Sequence, residues 1–130
     1  MRWVRYRLND LEHYGIMSHD GIREVRGSPF DSYEITGIYR LEDSVEILVP
    51  VVPRTFYAAG INYEEHVREA ALLLGIQPSL PCKPDIGYRA NNALIANDAP
   101  IIIPQDATGK VQYEGELVVV IGQKAKNLSE

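Results

Sequence analysis

Residues 54–75 read RTFYAAGINYEEHVREAALLLG, and within them the hydrophobic pattern changes once. Arg54 to Ile61 is apolar and strand-prone, with Phe56 and Tyr57 ahead of Ala58-Ala59-Gly60. It predicts a buried strand running into a turn. Asn62 then reads as a helix N-cap, and Glu65 three residues later completes a capping-box pattern. Ala70, Ala71 and Leu72 to Leu74 are strong helix formers, Gly75 is placed as the stop, and Pro78 follows. A strand that hands over to one helix, in a chain otherwise rich in strand signals, predicts a β-rich α+β fold.

Upstream, Trp3, Arg5 and Arg7 alternate with Val4, Tyr6 and Leu8, the period of a strand. Tyr14 to Ser18 is a second candidate, His19-Asp20-Gly21 a turn, and Ile22 to Val25 a third strand. Gly27-Ser28-Pro29 breaks the run, so residues 3–26 read as a hairpin or meander. Phe30 to Thr36 and Glu42 to Val49 are of mixed character. Pro50 and Pro53 bracket Val51-Val52 as a linker would, which puts a domain cut near residues 50–54. The expected division is a small β-rich domain at 1–52 and a second domain from 53 to 130.

Downstream, Pro78, Pro81 and Pro84 make a stiff, extended connection. Asn91-Asn92 and Asn97-Asp98 are turn chemistry, and Asp106 to Lys110 is a further turn. Ile101 to Ile103 predicts a short strand closed by Pro104. Glu116 to Gly122 is the strongest strand signal, a continuous apolar run expected to be buried on both faces within a mixed sheet. Ser129-Glu130 resembles the start of a helix, so the sequence is expected to be part of something longer.

Composition narrows the function classes. The chain has 130 residues, 45% of them hydrophobic and 24% charged, as an ordinary globular protein does. A net charge of −5 supplies no basic field, which argues against a nucleic-acid binder. The apolar runs are far shorter than the roughly 20 residues a membrane helix needs, and the N-terminal ten residues do not read as a signal peptide. The single cysteine, Cys82, excludes an intramolecular disulfide and a cysteine-based zinc cage, and a cytoplasmic location is the simplest expectation.

Two pairs of residues could carry chemistry. His66 and Glu69 are three apart on the expected helix and share a face. A carboxylate bonded to one imidazole nitrogen makes the other a better base for water, whereas the alternative is a solvated surface pair. Glu114 and Glu116 are two apart and would share one face of a strand. Side by side they repel, which a divalent cation such as Mg²⁺, Mn²⁺ or Ca²⁺ relieves; in water the repulsion needs no relief. Tyr63 and Tyr113 sit beside these groups, and Arg89 could fork onto a substrate carboxylate or be solvated. There is no P-loop, no G-x-G-x-x-G and no G-x-S-x-G.

Taken together, these segments resemble the fumarylacetoacetate hydrolase family. The resemblance runs through Ala59-Gly60-Ile61-Asn62-Tyr63 with His66 and Glu69, then Ile101-Ile102-Ile103-Pro104, then Tyr113-Glu114-Gly115-Glu116-Leu117 and Val118 to Gly122. It covers essentially the whole chain, most clearly residues 56–127, and the N-terminal strands look like the small domain many members carry. It implies that the second domain begins a mixed β-sandwich or roll, and that the protein is a homodimer with a role in aromatic catabolism. It implies Glu114 and Glu116 as metal ligands, with Mg²⁺ or Mn²⁺ the expected ion and Ca²⁺ the further alternative. It implies His66 and Glu69 as the dyad that activates water, with Tyr63 and Arg89 toward the substrate. The implied reaction is carbon–carbon cleavage of a 2-oxo or 1,3-dicarbonyl acid through a metal-bound enolate, with neither nucleic acid nor membrane as partner. A third carboxylate ligand, an Asp, and a lysine are implied beyond Glu130. Arg89-Ala90-Asn91-Asn92 stands where many members have Lys-Pro followed by Ser-Ser. Isomerisation, decarboxylation or non-catalytic binding on the same fold are the alternatives.

Overall fold

The computed structural model describes residues 1–109 and 111–129. They form two compact units, Met1–Pro50 with Ala96–Glu130, and Val51–Ile95. The architecture is β-rich with one α-helix, and both sheets are antiparallel.

The first unit holds a five-stranded sheet of order β4-β3-β2-β1-β5. Its strands are β1 (Arg2–Leu8), β2 (Leu11–Ser18), β3 (Gly21–Gly27), β4 (Tyr33–Arg40) and β5 (Glu46–Leu48). Leu8 pairs with Leu11, so Asn9 and Asp10 form a two-residue turn, and both have positive φ, 49° and 62°. That turn suits the twist of a hairpin, and Asn and Asp are the side chains that tolerate it best after glycine. Strand β2 therefore begins at Leu11, ahead of the expected Tyr14. The alternation in β1 turns Val4 and Tyr6 inward, where they pack with Ile22; Leu8, Met17, Val45 and Ile47 complete the cluster. Gly15 makes room for it, because a Cβ there would lie 2.4 Å from Ile22 Cγ2 and 3.2 Å from the Tyr6 ring.

The buried Tyr6 ring carries a polar group, and the sheet supplies its partner. Its hydroxyl lies 3.5 Å from Glu24 Oε2, to which Arg40 also donates from Nε (3.2 Å) and Nη2 (2.9 Å). Burial pushes the Tyr6 phenol above its ordinary pKa, and the Glu24 carboxylate adds to this against the opposing charge of Arg40.

In the second unit β6 (Phe56–Gly60) pairs with β7 (Asp85–Arg89), and α1 (Glu64–Leu74) lies between them in sequence. Asn91 Nδ2 donates to the carbonyls of Pro53 (2.9 Å) and Arg54 (3.3 Å), tying the end of the hairpin to its beginning. The helix buries Val67 and Ala71 and ends at Gly75, which takes the left-handed conformation at φ 66°. The sequence pattern anticipated that stop but not β7.

Four expectations are corrected. The N-cap is Tyr63 rather than Asn62, and no side-chain capping bond forms, so the Asn62–Glu65 box is absent. Ile61 takes a left-handed φ of 49°, so the extended residue entering the helix comes one position late. Strand β6 is half-buried rather than buried, with Tyr57 exposed. Ile101–Ile103 and Glu116–Gly122 are not strands, and Leu117–Ile121 are 50–85% exposed. An apolar run states what a segment would bury. A strand also needs a neighbour for its backbone groups, and no described strand pairs with either run. The expected turn ending at Lys110 and the helix start at Ser129-Glu130 reach residues 110 and 130, which lie outside the described residues.

Candidate functional site

The second unit carries the helical pair. Strand β6 ends at Gly60, the chain reverses through Ile61 and Asn62, and α1 begins at Glu64. His66 and Glu69 are both on α1 and both exposed. The helix places them on neighbouring positions of one face. No hydrogen bond joins them among the described residues. The ion pair on this helix is instead Arg68 with Glu64, where Arg68 Nε donates to Oε1 at 2.9 Å.

A cavity of about 400 Å³ opens beside the end of β6. Gly60, Ile61, Asn62, Glu64 and Val67 form one wall, and Leu80 to Pro84 form the other. His66 and Glu69 do not line it. Ile61 is the unusual residue of the wall, since a β-branched side chain at positive φ is sterically disfavoured. Sequence reading gave Ile61 no role of its own and missed Lys83. Lys83 sits between Cys82 and Pro84 in a stretch that reads only as a proline-rich connection.

Arg89 closes β7 and is exposed, with Nη1 3.2 Å from the carbonyl of Tyr88. Tyr57 and Tyr88 are cross-strand partners whose rings stand 4.9 Å apart. Side-chain hydrogen bonding to Tyr88 is the main reason the Tyr57 phenol lies above its ordinary pKa.

Glu114 and Glu116 belong to the first unit, in backbone without strand pairing, and both are exposed. Tyr113 is 97% exposed. Two carboxylates are suitable hard donors for Mg²⁺ or Mn²⁺, but they leave most of an octahedral shell unfilled. Among the described residues no group of three or more His, Cys, Asp or Glu side chains is placed to hold a metal. The donor chemistry agrees with a divalent ion while the number of donors does not make a site.

Comparison with known proteins covers nearly the whole chain. Residues 55–130 match the family described as fumarylacetoacetate hydrolase C-terminal, and residues 1–50 match the one described as Rv2993c-like, N-terminal. An uncharacterized protein of Archaeoglobus fulgidus is 36% identical over 114 residues, 86% of this chain and 41% of the relative. Caffeoylpyruvate hydrolase of Neonothopanus nambi is 30% identical over 128 residues, 85% of this chain and 42% of the relative. The crystal structure of 5-carboxymethyl-2-hydroxymuconate delta-isomerase from Mycobacterium smegmatis superposes with a TM-score of 0.64 at 28% identity, covering 83% of this chain and 40% of that one. The chain thus spans about two fifths of the length of these relatives. Among the described residues no helix is long and apolar enough to cross a membrane.

Proposed function

The chain belongs to the fumarylacetoacetate hydrolase family, and from that premise we propose that it forms part of an enzyme cleaving a carbon–carbon bond in a 2-oxo or 1,3-dicarbonyl acid. One observation carries the reading. Inside the matched residues 55–130, the Gly60-Ile61-Asn62-Tyr63 turn with His66 and Glu69 occurs together with Tyr113-Glu114-Gly115-Glu116. The relative named caffeoylpyruvate hydrolase supports a hydrolytic reaction.

In this reading His66 accepts a proton from water at one ring nitrogen, and Glu69 holds the imidazole through the other. Both side chains are exposed, so closing the pair takes side-chain rotation, and such bonds commonly tighten only in the substrate complex. Tyr63 and Arg89 bind the substrate, with the Arg89 guanidinium toward its carboxylate. Glu114 and Glu116 are the carboxylates proposed to hold the divalent metal, which when bound supplies Lewis acidity toward substrate oxygens. No step is derived through it, because the two carboxylates do not complete a site. The proposal includes a domain cut that leaves residues 1–52 as a separate β-rich domain and 53–130 in the catalytic one. It also includes a homodimeric, cytoplasmic enzyme.

A second reading is isomerisation or decarboxylation of a related acid. The likeness to a structure named as a delta-isomerase favours it, as does Arg89-Ala90-Asn91-Asn92, where the family resemblance leads one to expect Lys-Pro and two serines. Assaying the full-length protein on a panel of 2-oxo and 1,3-dicarbonyl acids with Mg²⁺ or Mn²⁺ separates the readings by product. Two smaller acids mean hydrolysis, a mass-neutral product isomerisation, and carbon dioxide decarboxylation. No turnover of any acid points to a binding domain. Calorimetric titration of Mg²⁺ and Mn²⁺ into the full-length protein and its Glu114→Gln and Glu116→Gln variants tests the metal assignment, which equal affinities in all three would refute.

A further inference from the structure

We propose that Tyr57 and Tyr88 form an oxidative cross-linking site, in which one-electron oxidation of the two phenols joins their rings through a carbon–carbon bond. The two residues are direct cross-strand partners on β6 and β7, so the ladder itself holds them side by side. Their ring centroids stand 4.9 Å apart and the ring planes are inclined by 39°, a close approach for an aromatic pair. The side chains are hydrogen bonded to each other, which turns the two oxygens, and the ring carbons ortho to them, toward one another. Both rings are open to an oxidant, with Tyr57 53% and Tyr88 75% exposed. The ring contacts of Tyr6, Tyr14 and Tyr33 are of other kinds, with His13, Phe30 and Trp3.

The chemistry balances with hydrogen peroxide as the oxidant, turned over by a haem peroxidase. Each phenol gives up one electron and one proton, and the peroxide takes both pairs to become two molecules of water. The unpaired electron of each phenoxyl radical is shared with its ortho carbons. Two such carbons join, and the hydrogen each carried moves through solvent to its own phenol oxygen, which restores both aromatic rings. Neighbouring radicals make the joining step unimolecular. The bond ties β6 to β7 and closes the long loop that contains α1, with His66 and Glu69 on it. A closed loop of that kind restricts the unfolded chain as a disulfide does.

The test treats dilute full-length protein with hydrogen peroxide and a haem peroxidase, then reads a denaturing gel, biphenol fluorescence and mass spectrometry of the digest. The expected product migrates as a single chain, is lighter by two hydrogens, fluoresces as a biphenol and yields a peptide pair joined through Tyr57 and Tyr88. Tyr57→Phe and Tyr88→Phe should each lower the yield of intramolecular biphenol about tenfold or more, because the partner that makes the coupling unimolecular is gone. Tyr39 matches Tyr57 in exposure at 54%, and Tyr39→Phe should leave the yield unchanged. Absence of biphenol, covalent dimers as the main product, a main joined pair lacking either residue, or undiminished yield in either variant overturns the proposal. The readout needs neither turnover nor metal, so the outcome is independent of the proposed reaction.

Discussion

Val4, Tyr6 and Ile22 are buried at 7%, 0% and 0% exposure, while Leu117 to Ile121, a longer and more continuous apolar run, are 50–85% exposed. The difference lies in partners. The residues of β1 meet β2 on one side and β5 on the other in a defined register, with two-residue turns holding β1, β2 and β3 together. Among the described residues, no strand pairs with 118–121. Hydrophobic content sets how much a segment gains by burial; hydrogen-bonded neighbours decide whether it is buried.

Backbone exchange is the largest way to break or confirm this contrast. Amides of β2 are expected to be protected by a free energy approaching that of global unfolding, about 5 kcal/mol or more, and those of 118–121 to exchange at nearly the free-chain rate. Hydrogen–deuterium exchange read by NMR checks it, and comparable protection in the two segments would remove the contrast. Next in size, Ile22→Ala should destabilise the chain by about 3 kcal/mol in denaturant unfolding, against about 0.5 kcal/mol or less for Val119→Ala. Gly15→Ala should cost about 2 kcal/mol, since its Cβ would have to displace Ile22 and Tyr6 in a packed core.

Smaller effects come from pH. Tyr6 holds its proton above the ordinary value of 10.0 because it is buried and faces Glu24. A raised pKa in the folded state means its contribution is complete below pH 10 and is lost as pH rises through the raised value. Stability should thus fall on the alkaline side, and Tyr6→Phe should flatten that fall. Glu12 behaves oppositely, since the Arg5 hydrogen bond holds its carboxyl below the ordinary 4.5. Its contribution is present above that value and is lost as pH falls through the lowered one. Because Glu12 is exposed, Glu12→Gln should change the acid limb least of all these variants.

Much of this was legible in the residues. The alternation in β1, the turn before Gly21 and the Gly75 stop all act locally, so their sequence signal is complete in itself. Strand β7 was not legible because Asp85-Ile86-Gly87-Tyr88-Arg89 has one aliphatic side chain and follows three prolines; it exists because β6 offers it a ladder. The false strand at 116–122 is the same rule reversed. The helical spacing of His66 and Glu69 could be read directly, whereas the wall containing Lys83 depends on chain segments some twenty residues apart coming together. Glu114 and Glu116 have the spacing for one strand face, but the strand that would align them is absent among the described residues.

Glu24 sits on β3 and reaches both Tyr6 on β1 and Arg40 on β4, spanning the sheet across β2. Strand β4 is an edge, and edges are where a sheet frays and where foreign strands attach. To peel away, β4 must release the Arg40 ion pair and expose the carboxylate that also serves the buried phenol. Opening at the rim is thereby coupled to opening at the centre. The sheet should come apart as one cooperative body, and the same carboxylate that satisfies its core guards its border against strand exchange between molecules.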